Sequence, residues 1–167
     1  HRLFRRQRQM CIRDSFRLDF YQKDEIFKIL KRTASILEMN VQDDALTEIA
    51  GRSRGTPRIA NRVLKRVRDF AQVKNVKEIS LEDARSSLDS IGIDENGLEN
   101  MDRKILKNLI VNYNGGPTGG KSLAISINED IQTIEDVYEP YLIKEGFIER
   151  TSRGRIATDK ALSLIHI

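Results

Sequence analysis

Apolar residues recur at three- and four-residue spacing through most of the chain, and this period limits the possible fold more than any other feature. The first half has four such segments, at residues 24–37, 43–50, 57–70 and 81–91. A spacing of this kind places apolar side chains on one face of an amphipathic helix. The pattern therefore predicts a domain of four helices over residues 17–92.

Residues that favour helix starts and stops support this division. Thr56 precedes Pro57, and proline is favoured at the first position of a helix, where its missing N–H removes no hydrogen bond. Ser80 followed by Asp83 is a variant of the capping box. Gly51 follows the second periodic segment and is expected to end that helix. The third and fourth helices are expected to begin at Pro57 and just after Ser80.

The second half changes from helical to β-prone sequence. Helical period continues over 102–113, 121–127 and 134–144, and Thr133 is the expected cap of the last of these segments. Two short β-prone runs then flank Ser152-Arg153-Gly154, a typical hairpin turn in which glycine supplies a positive φ. Three helices and a hairpin predict a winged helix-turn-helix domain at 101–161. Residues 93–100 are interpreted as a linker, and the whole fold as mainly α.

The net charge of +4 is concentrated at the N-terminus. Residues 1–17 hold six arginines and one aspartate, so they carry +5 and the other 150 residues carry −1. A basic arm is typical of nucleic-acid binding. Because neither 1–16 nor 162–167 continues the helical pattern, both ends are interpreted as non-native extensions and excluded from the predicted domains.

Composition also limits the chemistry. The single cysteine, Cys11, has no partner for an internal disulfide or a zinc site, so no metal site is expected. Apolar runs are far shorter than the ~20 residues of a membrane helix. A cytoplasmic protein without membrane contact is therefore expected. No nucleophile–base pair or paired carboxylates stand out, so no catalytic residue is predicted.

Residues 115–122 match Gly-x-x-x-x-Gly-Lys-Ser, the pattern of a phosphate-binding loop. Such a loop follows a buried β-strand and needs a second strand that ends in a magnesium-binding acid. The preceding residues 104–112 have helical period instead, although a short strand at 109–111 remains an alternative. The favoured interpretation is a glycine turn between two helices, with Lys121 on the surface.

Arginines are concentrated at two places with different expected roles. Residues 52–68 hold six arginines and one lysine and no acid, which is typical of a solvated helix face. Arg58 differs because it lies in the first turn of its helix, where anions such as phosphate bind. Arg150, Arg153 and Arg155 surround Gly154 and are expected to form a basic wing tip that contacts DNA phosphates. An ordinary exposed hairpin is the alternative.

Several separated segments resemble one known family. The clearest are Gly-Thr-Pro-Arg-Ile-Ala-Asn-Arg at 55–62 and Arg-Thr-Ser-Arg-Gly-Arg at 150–155, with Arg-Leu-Asp-Phe-Tyr at 17–21, Met-Asp-Arg-Lys at 101–104, Gly-Gly-Pro at 115–117 and Thr-Ile-Glu-Asp at 133–136 between or around them. Together they resemble the C-terminal half of the RuvB family, the ring ATPases of bacterial Holliday-junction branch migration. The resemblance covers about 17–161 and implies an AAA+ helical lid followed by a winged-helix DNA-binding domain.

The resemblance also implies roles for particular residues. Tyr21 is expected beside the adenine and ribose of ATP, and Arg58 is expected to contact the γ-phosphate. Arg150 and Arg155 correspond to DNA-binding wing residues of the family, with Arg153 as an adjacent helper. The implied partners are Holliday-junction DNA, RuvA, RuvC and further copies in a homohexameric ring.

The family's large nucleotide-binding domain lies outside this resemblance. Magnesium and the true phosphate-binding loop belong to that domain, so the chain is interpreted as a fragment that does not hydrolyse ATP alone.

A stand-alone winged-helix transcription regulator is the alternative function. It would need a helix that reads bases in the major groove. The polar positions of the predicted third helix include Glu135, Asp136, Glu139 and Glu145, and this acidic face argues against base reading. Weak DNA binding that is indifferent to sequence and sensitive to salt is expected instead.

Overall fold

The computed structural model describes residues 19–165, and its first half is a four-helix domain. The helices are α1 (Lys23–Ile36), α2 (Asp43–Gly51), α3 (Pro57–Val73) and α4 (Leu81–Ile91). Their apolar faces meet in one core, whose largest fully buried side chains are Ile26, Leu30, Leu46, Ile49, Leu64 and Leu88. The four predicted helices are confirmed.

Two predicted helix starts are also confirmed. Thr56 is the N-cap residue of α3 and Pro57 its first residue, although the Thr56 side chain makes no capping bond. Ser80 and Asp83 form both bonds of a capping box at α4. Hydrogen bonds from the Ser80 side chain and backbone lower the pKa of Asp83. Each predicted cap residue thus lies directly before the first residue of its helix.

The second half is a winged helix-turn-helix domain, as expected. Its first two helices are α5 (Asn100–Tyr113) and α6 (Gly120–Ile127). A third helical segment combines α7 (Ile131–Thr133), a π-helical turn (Ile134–Tyr138) and α8 (Glu139–Lys144). Strands β1 (Ile148–Thr151) and β2 (Gly154–Ala157) then pair antiparallel, with Arg150 opposite Arg155. A last helix, α9, covers Asp159–Ile165.

The predicted start of the third helix is wrong by three residues. Asp130 is its N-cap, because its carboxylate accepts hydrogen bonds from the backbone N–H groups of Gln132 and Thr133. Thr133 therefore lies inside the helix and caps nothing. Aspartate and threonine are both good caps, and residues 130–133 offered both.

The sequence analysis did not predict α9. Ala161 is fully buried and Leu164 packs against the second core, so residues 162–165 belong to the fold. The non-native origin inferred for 162–167 stays a prediction, and residues 1–16 lie outside the described residues. Within 19–165, no helix has the length and apolarity needed to cross a membrane.

The segment interpreted as a linker is packed at both ends. Ile93 belongs to the core of the four-helix domain, whereas Leu98 belongs to the core of the winged-helix domain. Arg103 holds the segment from α5, donating to the Asp94 carboxylate at 3.0 Å and to the Gly92 carbonyl at 2.9 Å. The two domains are therefore joined by a short, anchored connection.

Candidate nucleotide and nucleic-acid interfaces

Tyr21 and the start of α3 lie together at the surface. The backbone N–H of Tyr21 donates to the Gly55 carbonyl at 2.9 Å, one residue before the cap of α3. Gly55 has φ of +66°, and a Cβ there would lie 2.7 Å from the Tyr21 carbonyl oxygen. The turn therefore needs glycine. Because the Tyr21 side chain is about half exposed, its ring is available to a ligand.

Arg58 is exposed in the first turn of α3. In the described part of the chain it pairs with no carboxylate, whereas Arg62, one turn further along, donates to Glu99 at 3.0 Å. An unpaired guanidinium beside the N-terminus of a 17-residue helix suits a phosphate group. Tyr21 and Arg58, which the resemblance assigns to one nucleotide, thus flank one turn.

The glycine-rich loop at 115–120 is not a phosphate cradle. It follows helix α5 and no β-strand, and three of its backbone N–H groups already have partners: Gly115 donates to Leu109, Gly116 to Tyr113 and Thr118 to Arg155. A phosphate-binding loop needs such groups free to face its ligand. The interpretation as a turn between helices is confirmed, and Lys121 is exposed near the start of α6.

Two of the three wing arginines are exposed. Arg153 lies in the turn between β1 and β2, and its side chain pairs with no carboxylate among residues 19–165. Arg150 is also exposed, with its guanidinium 3.4 Å from Glu135 and 3.8 Å from Glu139. The tip of the wing is therefore cationic, and Arg153 is its freest charge.

Arg155 does not lie at an exposed wing tip, and that expectation is wrong. Its side chain is buried, and its Nε and Nη2 atoms donate to Glu139 at 2.6 Å and to Glu135 at 2.5 Å. Burial opposes the charged form, but these carboxylates outweigh it and raise the pKa of Arg155. Its charge therefore holds the hairpin on the third helix.

Strand alternation explains this inward position. Along β2, Arg155 and Ala157 are buried while Gly154 and Ile156 are only partly covered. Glu135 and Glu139, four residues apart on the third helix, meet the arginine there. In the sequence, the alternation of Arg155 with Ala157 along a β-strand was the available signal for burial. The neighbouring Arg150 and Arg153 instead favoured an exposed basic cluster, so Arg155 was expected at the surface. Two of the four acids of the predicted acidic helix face, Glu135 and Glu139, are thus paired with Arg155.

The glycine loop makes room for this arrangement. Thr118 and Arg155 exchange two backbone hydrogen bonds at 2.9 and 3.0 Å, which places the loop beside β2 through an isolated antiparallel β-bridge. A Cβ on Gly120 would overlap the Arg155 guanidinium, with Cζ only 2.9 Å away. Glycine at 120 therefore serves the packing of Arg155.

Comparison with known proteins assigns both halves of the chain. Residues 21–94 match the family model described as the RuvB AAA lid domain, and residues 95–166 match the RuvB C-terminal winged helix domain. The chain belongs to the RuvB family. The two RuvB matches meet between Ile93 and Leu98, the residues that anchor the connection in the two cores.

Individual RuvB proteins support the assignment. The chain is 56% identical over 146 residues to the Holliday junction branch migration complex subunit RuvB of Chlorobaculum parvum, covering 87% of this chain and 43% of that protein. The Chlorobaculum tepidum protein is 54% identical over 147 residues, again with 43% of its length covered. The chain thus spans less than half the length of these relatives.

A solved RuvB structure shares the fold. The Thermotoga maritima RuvB Holliday junction branch migration motor superposes with a TM-score of 0.86 at 46% identity, over 89% of this chain and 50% of that one. The lid and the winged helix therefore have the arrangement of an experimentally known RuvB.

Proposed function

We propose that this chain supplies the lid and the DNA-binding wing of an ATP-driven motor that moves Holliday junctions in the bacterial cytoplasm. The relatives' name, Holliday junction branch migration complex subunit RuvB, supports this function. ATP and its Mg²⁺ would be held largely by a further nucleotide-binding domain. A homohexameric ring that works with RuvA and RuvC completes the proposal.

The exposed, cationic wing tip is the observation that carries the DNA-binding part. Arg153 and Arg150 present guanidinium groups at one end of a rigid hairpin, and arginine contacts phosphates in a bidentate manner. Phosphate contacts bind every sequence alike, as a motor that travels along DNA requires. In this arrangement Arg155 positions the wing and would reach DNA only by leaving Glu135 and Glu139.

Salt titration tests this assignment. DNA binding by the full chain is measured against salt on a four-way junction and on duplexes of unrelated sequence. We expect Arg150→Ala with Arg153→Ala to reduce the salt slope by about one to two units, since each phosphate contact contributes roughly 0.9. Lys28→Ala, an exposed cation on α1, is the matched control and should leave the slope unchanged.

Two outcomes of that titration contradict the proposal. An unchanged slope in the double variant would remove the wing from the DNA interface. Tight binding to only one of the duplexes would favour the transcription regulator, because base reading discriminates between sequences.

The turn before α3 carries the nucleotide part of the proposal. Bound ATP supplies a hydrolysable terminal phosphate. Arg58 would bind that phosphate through a charge-assisted hydrogen bond, and the half-exposed Tyr21 ring would lie against the base and sugar. Loss of the phosphate would release Arg58 and with it the lid.

Backbone NMR of the full chain tests this site. We expect ATP to shift the amide signals of Tyr21, Gly55 and Arg58, and Arg58→Ala to abolish these shifts. Arg66→Ala, an exposed arginine two turns along α3, should preserve them. Shifts that survive in Arg58→Ala would place the nucleotide elsewhere.

A further inference from the structure

Arg54 extends from the turn between α2 and α3 into the winged-helix domain. Its side chain is buried, and Nε donates to the Gly97 carbonyl at 3.0 Å while Nη2 donates to the Asp102 carboxylate. The guanidinium also lies 4.7 Å from the centre of the Tyr141 ring. One lid arginine thus contacts the connection, α5 and α8 together.

The carboxylate that pairs with Arg54 belongs to Asp102, inside the second domain. It is fully buried, and the carboxylate oxygen bound by Arg54 also accepts the Glu99 N–H at 2.7 Å, at the start of α5. Its other oxygen accepts no hydrogen bond from any of residues 19–165. Removal of Arg54 would leave the Asp102 carboxylate buried without its charge partner, which is strongly destabilising. Removal of the Asp102 carboxylate would take away the buried acceptor that holds the Arg54 guanidinium in the second domain.

The backbone at Arg54 supports a special role for this turn. Arg54 has φ of +58°, a left-handed conformation that residues other than glycine rarely adopt. Such a conformation persists where surrounding contacts enforce it. The contacts available here include the backbone hydrogen bonds of the turn and those that the Arg54 side chain makes with the second domain.

We propose that Arg54 and Asp102 form an interdomain latch that fixes the orientation of the winged-helix domain relative to the start of α3. Arg54 is a positioning residue in this latch. Its turn also holds Gly55, the partner of Tyr21, and leads to Arg58 four residues later. Transmission of a nucleotide change to the wing by this route rests on the proposed function, whereas the latch itself does not.

A second ion pair across the same joint provides the matched control. Arg62 on α3 donates to Glu99 at 3.0 Å, but their side chains are 53% and 37% exposed. Exposed pairs contribute little because water and salt screen them. The latch therefore predicts different outcomes for two arginines that bridge the same domains.

Distance measurement between spin labels tests the latch. The labels are placed in the full chain at Glu82→Cys on α4 and Asn112→Cys on α5, both exposed positions, with Cys11→Ser to remove the native thiol. We expect one narrow distance peak in this parent and in Arg62→Ala. Arg54→Met and Asp102→Asn should both lose the narrow peak, and Arg54→Lys, which keeps the charge, should restore part of it.

Thermal unfolding of the same proteins provides a second readout. We expect one cooperative transition in the parent and in Arg62→Ala, and separate transitions of the two domains in Asp102→Asn. If Arg54→Met does not fold, Asp102→Asn, which keeps the shape of the side chain, decides the matter.

A narrow peak and a single transition that survive in the folded latch variants would overturn the proposal. Equal disruption by Arg62→Ala would also overturn it, because any contact across the joint would then suffice. Neither measurement involves nucleotide or DNA, so these outcomes are separate from those that test the proposed function.

Discussion

Two buried arginines stabilise this molecule at different places, and their surroundings differ. At the wing base, Arg155 faces two carboxylates, and both oxygens of the buried Glu139 accept from its guanidinium. At the interdomain latch, Arg54 donates to the buried Asp102 carboxylate and lies 3.9 Å from the partly exposed Glu99 carboxylate. The comparison indicates that both oxygens of Glu139 are used at the wing base, whereas one oxygen of Asp102 at the latch accepts no hydrogen bond from the described residues.

Glu139→Ala should produce the largest loss of stability. It leaves Arg155 buried beside one partly exposed carboxylate, and breaking a buried pair in this way costs about 3–5 kcal/mol of unfolding free energy. Urea denaturation measures the loss. Glu135→Ala is the control, because Glu135 is one-third exposed and its removal should cost clearly less. Equal losses would show that the two acids hold Arg155 alike.

Gly120→Ala tests the space around Arg155 with a smaller expected effect. The new Cβ would meet the guanidinium, and overpacking of this kind costs about 1–3 kcal/mol. At the neighbouring Gly119 a Cβ would meet only the Ser122 side chain, at 4.0 Å, so Gly119→Ala should cost clearly less. Equal melting temperatures for the two variants would mean that Arg155 can move aside freely.

The pH dependence of stability should distinguish the latch from the ion pair of Glu48 with Arg52 inside the lid. Burial raises the pKa of Asp102 above its usual 3.8, although Arg54 opposes the shift. The native state therefore takes up a proton more readily than the unfolded state. This contribution is fully present below pH 3.8 and is lost as the pH rises through the native pKa.

Paired denaturation curves against pH measure that contribution. Relative to Asp102→Asn, we expect the parent to become less stable as the pH rises through this window. Glu48 should behave in the opposite way: burial opposes its ionisation, but hydrogen bonds from Arg52 and Arg85 outweigh burial and lower its pKa below 4.5. Relative to Glu48→Gln, the parent should lose stability as the pH falls. Slopes of the same sign would contradict the contrast.

The smallest effect is expected for the exposed pair at the joint. Because Arg62 and Glu99 are both partly solvated, Arg62→Ala should change the unfolding free energy by only about 0.2–1 kcal/mol. Denaturation in low and high salt should show that even this contribution shrinks with screening. A larger, salt-independent loss would require a buried role for Arg62.

Much of the fold could be predicted because its signals are local. Helical period, the Ser80–Asp83 box and the glycine of the hairpin turn each act over a few residues, and the structure confirms them. The start of the third helix was wrong because Asp130 and Thr133 are both capable caps. The helix α9 was missed because its last four residues, 162–165, were excluded with the chain end.

The candidate sites were less predictable because they depend on distant partners. Arg54 and Asp102 are 48 residues apart, and nothing in the spacing joins them. The run at 52–68 was interpreted as a solvated face, but Arg52 and Arg54 are 4% and 8% exposed. Tyr21 and Arg58 were placed by family resemblance, and their ligand role stays a prediction, as does DNA contact by Arg150, Arg153 and Arg155.

The anchored connection limits how far the domains can move apart. Four residues lie between Ile93 and Leu98, and the five Cα–Cα steps that join the two span at most roughly 17 Å when fully extended. Both ends are held in hydrophobic cores, so the segment has no slack from which to lengthen. The connection therefore keeps the two domains at short range, and a protease should cut it only after one of the domains has unfolded locally.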